Sequence, residues 1–297
     1  MAKIAEQPEL ATPERAPDDA EDKTARRVLA RGEGWSVAEI LCTSGPRDRP
    51  IDEQHPQVCI AMVTAGTFQY RSAQGRELMT PGSLLLGNAG QDFECGHEHG
   101  TGDRCIAFWY SPEYFESLVA DALEGSARPS FPICRIPPLR ELSPAFAQAV
   151  ATAAGRPETL WEELSVRLAS DSIRLANGLP SQPANDTPAA VARVTRVIRA
   201  IERDPAGLLS IETLAAEARL SPYHFLRTFE SLAGVTPHQY LLRMRLRQAA
   251  MRLTAESEKI LDIALDCGFG DVSNFNRAFR SEFGINPRAF RSKARAA

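Results

Sequence analysis

Two stretches of this chain follow one pattern: FLRTFESLAGVTPHQY at residues 225–240 and FNRAFRSEFGINPRAF at residues 275–290. An offset of 50 residues (275 minus 225) pairs Phe225 with Phe275, Arg227 with Arg277, Phe229 with Phe279, Ser231 with Ser281, Gly234 with Gly284, Pro237 with Pro287 and Tyr240 with Phe290. Upstream, Leu214-Ala215 aligns with Ile263-Ala264 after a slip of one residue. A repeat of this kind indicates two copies of one structural unit.

Each copy is predicted to fold as two helices joined by a tight turn. In the first copy, Ser210 caps one helix, and Ser221 followed by Pro222 starts a second helix whose aromatic side chains share a face. In the second copy, Gly268 permits a left-handed exit from the first helix, and Asp271 caps the helix that bears Phe275 and Phe279. Two helices joined in this way form a helix-turn-helix.

Helical hairpins also occur as purely structural units, but the charge of this region favours a nucleic-acid partner. Residues 188–297 carry 17 Lys and Arg against 11 Asp and Glu, a net charge of +6, whereas residues 1–187 carry 17 against 27, a net charge of −10. The net charge of −4 for the whole chain therefore hides a basic C-terminal part. Two matched helices there would read successive major-groove segments about 34 Å apart.

The sequence ALDCGFGDVSNFNRAFRSEFGINPRAFR at residues 264–291 resembles the C-terminal signature of the AraC/XylS bacterial transcription regulators. The resemblance covers about residues 190–292. It implies an all-α domain in which two helix-turn-helix units flank a linker helix, here from Pro237 to Leu253, and in which the second helix of each unit enters the major groove of double-stranded DNA.

Carried over position by position, the resemblance implies ten DNA-contacting residues. The first reading helix offers Pro222, Tyr223, His224, Leu226 and Arg227, and the second offers Val272, Ser273, Asn274, Asn276 and Arg277. Arginine forks onto guanine or holds a phosphate, asparagine pairs with adenine, and serine suits either base. Leu226 is apolar at a contact position of the family, so the first helix is expected either to contact thymine methyl groups or to read little sequence at all. The alternative for each arginine is an ordinary surface or ion-paired residue.

Short apolar or alternating runs separated by turn residues extend from about Trp35 to Trp109 and predict an antiparallel sandwich or small barrel. Helices are predicted after Ser111-Pro112 and near residues 143–154 and 158–177. The stretch QYRSAQGRELMTPGSLLLG at residues 69–87 resembles part of the cupin-like barrel found in the same family. This resemblance implies a small-molecule effector pocket inside the barrel, and with the C-terminal part it predicts an α+β multidomain fold.

Four segments are predicted from these patterns. Residues 1–27, rich in Ala, Glu, Asp and Pro, are predicted to be a disordered tail. Residues 28–178 form the cupin-like sensing and dimerisation domain. Residues 179–189, which include PSQPANDTP, form a linker. Residues 190–297 form the DNA-binding domain.

One motif in the predicted barrel has the residue types of a metal site. In FECGHEHGTGDRC at residues 93–105, Cys95, His97 and His99 alternate, so in a strand they would share one face. Cys105 would return beside them through a hairpin turn at residues 100–103, and His55 is a further candidate. Thiolate and imidazole suit zinc, copper or iron, and the His-x-His pair resembles the metal motif of cupin enzymes. The alternatives are lining for an organic ligand and a loose surface loop, because three glycines interrupt the motif.

Leucines at helical spacing suggest how the chain would dimerise. Leu160, Leu164, Leu168 and Leu175, with Val166 and Ile173, form an apolar stripe that suits either a homodimer interface or packing against the barrel. We expect a homodimer, because pairing raises the apparent affinity for DNA through effective concentration.

The six cysteines form no CxxC pair, which favours free thiols in a reducing compartment. The chain shows neither a membrane-spanning run nor the pattern of a secretory signal, so the expected location is the cytoplasm.

These features predict a sequence-specific transcription regulator that senses a signal in its N-terminal barrel and is not an enzyme. The family resemblance adds activation, through RNA polymerase, as an expectation, and no cofactor is required. A metal-dependent cupin oxygenase with an appended helical domain is one alternative, but it needs a complete metal site and an acid or base in the pocket. A nucleoid protein without sequence preference is the other, and it predicts steep salt dependence with no preferred site.

Overall fold

The computed structural model describes residues 23–122, 130–154, 159–179, 187–207, 209–255 and 257–296. The strands are β1 Thr24–Gly32, β2 Trp35–Cys42, β3 Ile51–Gln54, β4 Val58–Gly66, β5 Phe68–Ser72, β6 Gly75–Met79, β7 Leu84–Gly87, β8 Asp92–Gly96, β9 Asp103–Tyr110 and β10 Arg135–Ile136. The helices are α1 Pro112–Ala122, α2 Ser143–Ala153, α3 Thr159–Gly178, α4 Pro188–Arg203, α5 Ile211–Ala218, α6 Pro222–Ala233, α7 Pro237–Ala255, α8 Ile260–Asp266, α9 Val272–Phe283 and α10 Pro287–Ala296. A short 3-10 helix, Arg140–Leu142, precedes α2.

The strands form two antiparallel sheets that face each other. The six-stranded sheet has the order β1-β2-β9-β4-β7-β10, and the four-stranded sheet has the order β3-β8-β5-β6. Strand β4 is buried along most of its length because both of its faces are covered. Cys59, Ala61 and Val63 point between the sheets, whereas Ile60 and Met62 point to the helical layer. The predicted antiparallel sandwich or barrel is therefore confirmed.

Helices α1, α2 and α3 cover the outer face of the six-stranded sheet. The leucine stripe of α3 lies in this layer, and Leu164, Leu168 and Ile173 are at most 2% exposed. Val166, 36% exposed, points away from the layer. Of the two uses predicted for the stripe, the buried leucines serve packing within the protomer, because the uncovered sheet face needs an apolar partner. The side chain of Leu160 lies outside the described part of the chain.

The C-terminal helices enclose two apolar cores that share α7. Helices α4, α5 and α6 pack around Phe225 and Phe229, and helices α8 and α9 pack around Phe275 and Phe279. Helix α7 contributes Tyr240 to the first core and further apolar residues, such as Leu246, to the second. The linker helix predicted for residues 237–253 is therefore present and runs to Ala255.

The N-terminal domain completes both of these cores. Leu78 of β6 is buried in the core around Phe225, and Ala147 of α2 is buried in the core around Phe275. Glu282 of α9 accepts a hydrogen bond from the Ser143 hydroxyl, and Arg243 of α7 donates to the carbonyl of Pro138 at 2.8 Å. The two domains are thus joined by apolar packing as well as by polar contacts.

Two predicted boundaries differ from the observed ones. Strand β1 begins at Thr24, inside the tail predicted for residues 1–27, because it pairs with β2 and places Arg27 opposite Glu39, with 2.9 Å between their charged atoms. Residues 1–22 lie outside the described part of the chain. Helix α4 begins at Pro188, two residues before the predicted domain start, because Thr187 caps it and Pro suits the first helical position. Residues 180–186 of the predicted linker also lie outside the described residues.

Candidate nucleic-acid interface

Helix α6 presents the first set of predicted DNA contacts. The Ser221 hydroxyl accepts a hydrogen bond from the His224 backbone N–H and caps the helix, and Pro222 occupies the first position. Phe225 and Phe229 are 0% exposed, so the intervening positions face outward. All five candidates are exposed: Pro222, Tyr223, His224, Leu226 and Arg227. All five residues predicted to contact DNA are therefore accessible on the surface of α6.

Tyr223 and Arg227 lie one turn apart and contact each other on this surface. Tyr223 is 64% exposed, and the Arg227 guanidinium lies 6.0 Å from its ring centroid, with one nitrogen 3.5 Å from the phenol oxygen. This contact positions the guanidinium along the helix without neutralising it. Leu226 is 39% exposed, which leaves an apolar group free to meet another apolar group.

Helix α9 presents the second set in the equivalent geometry. An Asp271 carboxylate oxygen accepts from the Asn274 backbone N–H at 2.7 Å and caps the helix. Phe275 and Phe279 are 0% exposed. Four candidates are exposed, namely Ser273, Asn274, Asn276 and Arg277, and Val272 is half-buried. The Arg277 guanidinium donates to the Asn274 side-chain oxygen at 3.3 Å, so an arginine again lies along the first turn of the helix.

Two further arginines, which sequence reasoning missed, extend the basic surface of the second unit. Arg280 and Arg288 are exposed and line one groove together with Asn276 and Arg277. Arg280 follows Arg277 by three residues, which places both on one helix face and is a signal available in the sequence. Arg288 lies in the first turn of α10, where Asn286 accepts from the Ala289 N–H at 2.8 Å. A surface of this kind suits phosphate groups.

Arg245 of α7 holds the two units in a defined relation. Its guanidinium donates to three backbone carbonyls, those of Pro205 at 2.6 Å, Gly207 at 2.8 Å and Gly268 at 3.0 Å. The first two belong to the turn after α4, and Gly268 belongs to the turn between α8 and α9. Gly268 has a φ of 83°, as expected for the left-handed exit predicted there. Arg245 therefore joins the two units through partly buried main-chain carbonyls.

The N-terminal domain contacts the C-terminal domain away from the exposed candidate residues of α6 and α9. The buried carboxylate of Glu282 lies on the opposite side of α9 from the exposed candidates and pairs with Arg243 at 3.6 Å. Arg247 of α7 is 3% exposed, donates to the Pro81 carbonyl at 3.4 Å and stacks on Phe146. The candidate residues on both helices therefore remain accessible while the domains are docked.

A cavity of about 530 Å³ lies between the domains. Side chains from the outer face of the six-stranded sheet, α2, the end of α4 and α7 line it, among them Arg104, Phe146, Met244 and Arg247. By contrast, the space between the sheets holds the packed side chains of Cys59, Phe68 and Tyr70 and their neighbours. The effector pocket implied inside the barrel stays a prediction.

Of the five metal-ligand candidates, only His97 belongs to a compact cluster of ligating atoms in the described part of the chain. That cluster contains Cys42, His97 and Asp103. Strand β8 ends at Gly96, so Cys95 lies in the strand whereas His97 and His99 lie beyond it. The prediction that the three side chains share one strand face was therefore wrong. His99 is half-buried beside Glu98, and Cys105 donates to the Asp103 carboxylate with a sulfur–oxygen distance of 3.6 Å.

His55, the fifth candidate, packs inside the barrel. Its Nε2 shares a hydrogen bond of 2.9 Å with the Tyr70 hydroxyl, and its ring stacks on Phe93 at a centroid distance of 4.1 Å. Burial lowers the pKa of His55 to about 4, so the ring is neutral at physiological pH. The environment of His97 acts in the opposite direction: burial opposes its charge, but the hydrogen bonds that its ring makes to Asp103 and Cys42 raise the pKa of His97 to about 9.

Two family models match this chain. The model of the AraC-like ligand binding domain matches residues 43–175, and that of a helix-turn-helix domain matches residues 214–293. Among curated relatives, the chain is 37% identical over 100 residues to the HTH-type transcriptional activator RhaS of Klebsiella pneumoniae (strain 342). The aligned region covers 34% of this chain and 36% of that protein. The chain is 33% identical over 144 residues, 48% of each chain, to the activator RhaS of Escherichia fergusonii.

One similar solved structure is that of the DNA-binding domain of AdpA, a global transcriptional factor, in complex with a target DNA. It is 32% identical, covers 35% of this chain and 94% of that one, and has a TM-score of 0.34. The chain spans about a third to a half of the length of the curated relatives that it matches. The chain therefore joins an AraC-like ligand binding domain to a C-terminal helix-turn-helix domain, the combination that its resemblance to the AraC/XylS regulators implied.

Proposed function

We propose that this protein is a transcription regulator that binds specific sites on double-stranded DNA through α6 and α9 and adjusts this binding to a ligand of its N-terminal domain. The observation that carries the proposal is the equivalent construction of the two helices. Each is capped by a side chain, buries two phenylalanines and exposes an arginine and polar groups in its first two turns. A reading helix presents this N-terminal part to base edges.

The exposed side chains divide between base contacts and phosphate contacts. Asn274 and Asn276 have the donor and acceptor groups that adenine requires, and Arg277 has the fork that suits guanine. Arg280 and Arg288 lie further along the same groove, where they hold phosphates. Leu226 and Val272 contact thymine methyl groups. In this scheme α9 supplies most of the hydrogen-bonded base contacts, and α6 adds Arg227, Tyr223 and an apolar contact.

The N-terminal domain supplies the signal. Its packing against both C-terminal cores, through Leu78 and Ala147, gives a ligand a physical route to the DNA-binding helices. Regulation requires that the ligand binds the docked and the rearranged arrangements with different affinity. We further propose that the protein forms a homodimer, contacts RNA polymerase and activates transcription. A regulator of bacterial transcription would act in the cytoplasm, where the chromosome lies.

We infer that the protein acts by binding DNA and a ligand rather than by catalysing a reaction, as its resemblance to a family of transcription regulators implies. Membrane attachment is not part of the proposal. Within the described residues, each helix is too short or too polar to cross a lipid bilayer.

The proposal is tested by mapping the binding sites of the full-length protein across its host genome and measuring its affinity for the strongest site. We expect discrete sites upstream of a few operons and binding roughly 10³-fold or more tighter than to unrelated duplex DNA. Diffuse coverage with a steep salt dependence and no preferred duplex would instead identify a nucleoid protein and overturn specific regulation.

A further inference from the structure

Three buried side chains of different chemistry meet at one end of the barrel. Cys42 is the last residue of β2 and Asp103 is the first residue of β9, and the two are directly paired in the antiparallel register. His97 comes from the segment that joins β8 to β9. The three residues are 5%, 9% and 6% exposed, respectively. A thiol, a carboxyl and an imidazole thus share a small volume from which water is largely excluded.

The distances fit a single ion. One ligating atom from each residue lies within 4.8 Å of the other two, and His97 Nε2 lies 3.0 Å from an Asp103 carboxylate oxygen. Two ligands of a tetrahedral zinc ion with bonds of about 2.0–2.1 Å are separated by about 3.3 Å. Side-chain adjustments of an ångström or less therefore bring all three ligating atoms into coordination.

The segment that carries His97 is held in place by its surroundings. The N–H of Gly102 donates to the Ser44 carbonyl at 2.8 Å, and a β-carbon at Gly102 would lie only 2.8 Å from the Cys42 carbonyl oxygen. Gly102 also has a φ of 69°. A β-carbon at Gly100 would likewise lie 3.0 Å from both the carbonyl oxygen and the hydroxyl oxygen of Thr67. The glycines that suggested a loose loop in the sequence instead permit close packing, which organises the cluster.

An outer residue supports one of the three ligands. The Cys105 thiol donates to the second oxygen of Asp103 and fixes the orientation of the carboxylate. Protein metal sites commonly have such outer hydrogen bonds, which set ligand geometry. Thiolate, imidazole and carboxylate together suit a borderline divalent cation, because hard cations such as Mg²⁺ prefer oxygen ligands alone.

We propose that Cys42, His97 and Asp103 form a binding site for a divalent transition-metal ion of the zinc type and that its occupancy is communicated to α4. This set differs from the one that strand alternation indicated, because two of its members come from paired strand ends far apart in the sequence. An exchangeable water completes the coordination.

Contacts beside the cluster lead directly to the first helix of the C-terminal domain. Arg199 of α4 donates to the Thr101 hydroxyl at 2.5 Å, and Thr101 lies between the two ligands His97 and Asp103. On the other side, Asp103 pairs with Gly66 of β4, whose N–H donates to the carboxylate of Glu202, also in α4, at 3.0 Å. An ion inserted between His97 and Asp103 replaces their direct contact, moves both ligands and therefore shifts both attachments of α4. This regulatory half rests on the proposed function, whereas the metal site does not.

Cobalt(II) reports the site without any need for DNA. The full chain, purified without a histidine tag and treated with chelator, is titrated with Co²⁺ alone. We expect one equivalent to bind with visible d–d bands and a near-ultraviolet thiolate-to-cobalt charge-transfer band, and Zn²⁺ to bleach both. Binding of less than about a tenth of an equivalent overturns the proposal, as do spectra without thiolate coordination.

Single substitutions assign the ligands. Cys42→Ser removes the charge-transfer band, and Asp103→Asn weakens Zn²⁺ binding by about 100-fold or more, since loss of a direct ligand exceeds the 10–100-fold effect of an outer one. Cys134→Ser, a buried thiol elsewhere in the barrel, is the matched control and keeps both properties. Circular dichroism confirms folding, and Asp103→Asn decides the outcome if Cys42→Ser does not fold. Unchanged cobalt spectra and zinc affinity in a folded ligand variant overturn the assignment.

The second half is tested by the DNA affinity of the chelated protein with and without Zn²⁺. We expect the ion to change the affinity of the unsubstituted chain for its strongest genomic site by threefold or more, and Arg199→Ala to bind the metal normally while losing this response. An equal response in both proteins, or none in either, overturns the coupling and leaves the spectroscopic result standing. Absence of any specific DNA site defeats the proposed function but not the metal site.

Discussion

The guanidinium of Arg247 lies 4.6 Å above the centre of the Phe146 ring, and it thereby joins the long helix of the DNA-binding domain to the N-terminal domain. Arg247 is 3% exposed, and burial lowers its pKa to about 10. Two of its nitrogens, Nε and Nη2, have no hydrogen-bond partner among the described residues. A buried cation with so few partners contributes through the packing of its stem and ring contact more than through its charge.

This environment predicts opposite outcomes for two substitutions at Arg247. Arg247→Ala removes the contact with Phe146 and leaves a cavity, so we expect it to lower the free energy of unfolding by about 1–3 kcal/mol. Arg247→Met keeps most of the volume and removes a poorly solvated charge, so we expect a change within about 1 kcal/mol of zero or a gain. Urea unfolding of the three proteins measures both. Equal losses for the two variants would show that the charge itself stabilises the docked domains.

His55 predicts a pH dependence of stability. Its pKa falls from 6.5 to about 4 on folding because of burial, so between these values the unfolded chain binds a proton that the folded chain does not. Stability from this group is therefore complete above about pH 6.5 and declines as the pH falls towards 4. We expect protonation of His55 to lower the free energy of unfolding by about 2–3 kcal/mol over this pH range.

His55→Gln isolates this contribution, because the amide retains a polar contact for Tyr70 but does not titrate. Unfolding free energies of the two proteins at pH 7 and pH 4.5 give the comparison. The variant should lose markedly less stability than the unsubstituted chain between these two pH values. Parallel pH profiles would assign the acid sensitivity to other groups.

Arg277 distinguishes base recognition from phosphate binding. If its guanidinium forks onto a base, Arg277→Ala weakens binding to the specific site by about 1–3 kcal/mol and relaxes the preference at one base pair. If it holds a phosphate, the substitution weakens binding nearly equally on all sequences and reduces the salt slope by about 1. Titration with specific and unrelated duplexes measures these effects.

Arg49→Ala removes an exposed arginine from the barrel and is the matched control for charge. We expect its DNA affinity to equal that of the unsubstituted chain. Unchanged specific affinity in Arg277→Ala would exclude Arg277 from the interface.

The Asp271 cap sets the start of α9, the second helix proposed to contact DNA bases. Asp271→Ala leaves the Asn274 N–H without its partner and should cost about 0.5–2 kcal/mol of stability, while Asp271→Ser keeps most of the cap. Because Asn274 lies in the same turn, DNA affinity should fall in parallel with stability for Asp271→Ala. Thermal unfolding and DNA titration of both variants provide the measurements. A loss of affinity in both variants at full stability would instead indicate that Asp271 itself contacts DNA.

Several structural elements were predictable from the sequence because their causes are local. Helix caps at Ser210, Ser221 and Asp271 depend on neighbouring backbone N–H groups, and the left-handed turn at Gly268 depends on the absence of a β-carbon. The spacing of Phe275 and Phe279 determines which face of α9 is buried. The same features determine which faces of α6 and α9 are exposed.

Other predictions were wrong because they required knowledge of distant partners. The segment from Thr24 appeared too polar to be ordered, yet it forms β1 because the edge of β2 offers hydrogen bonds and Glu39 offers a charge partner for Arg27. The alternation of Cys95, His97 and His99 assumed a strand that ends at Gly96.

The two helix-turn-helix units, the order of the domains and the resemblance to the AraC/XylS family could all be recognised in the amino-acid sequence, because helix periodicity, capping and the internal repeat act over a few residues or within one repeat. The contact between Cys42 and Asp103 and the burial of Arg247 against Phe146 became visible only in the folded protein. Those contacts depend on the register of strands and on the docking of domains. The free energy of each is set by side chains far apart in the chain, so no local pattern encodes it.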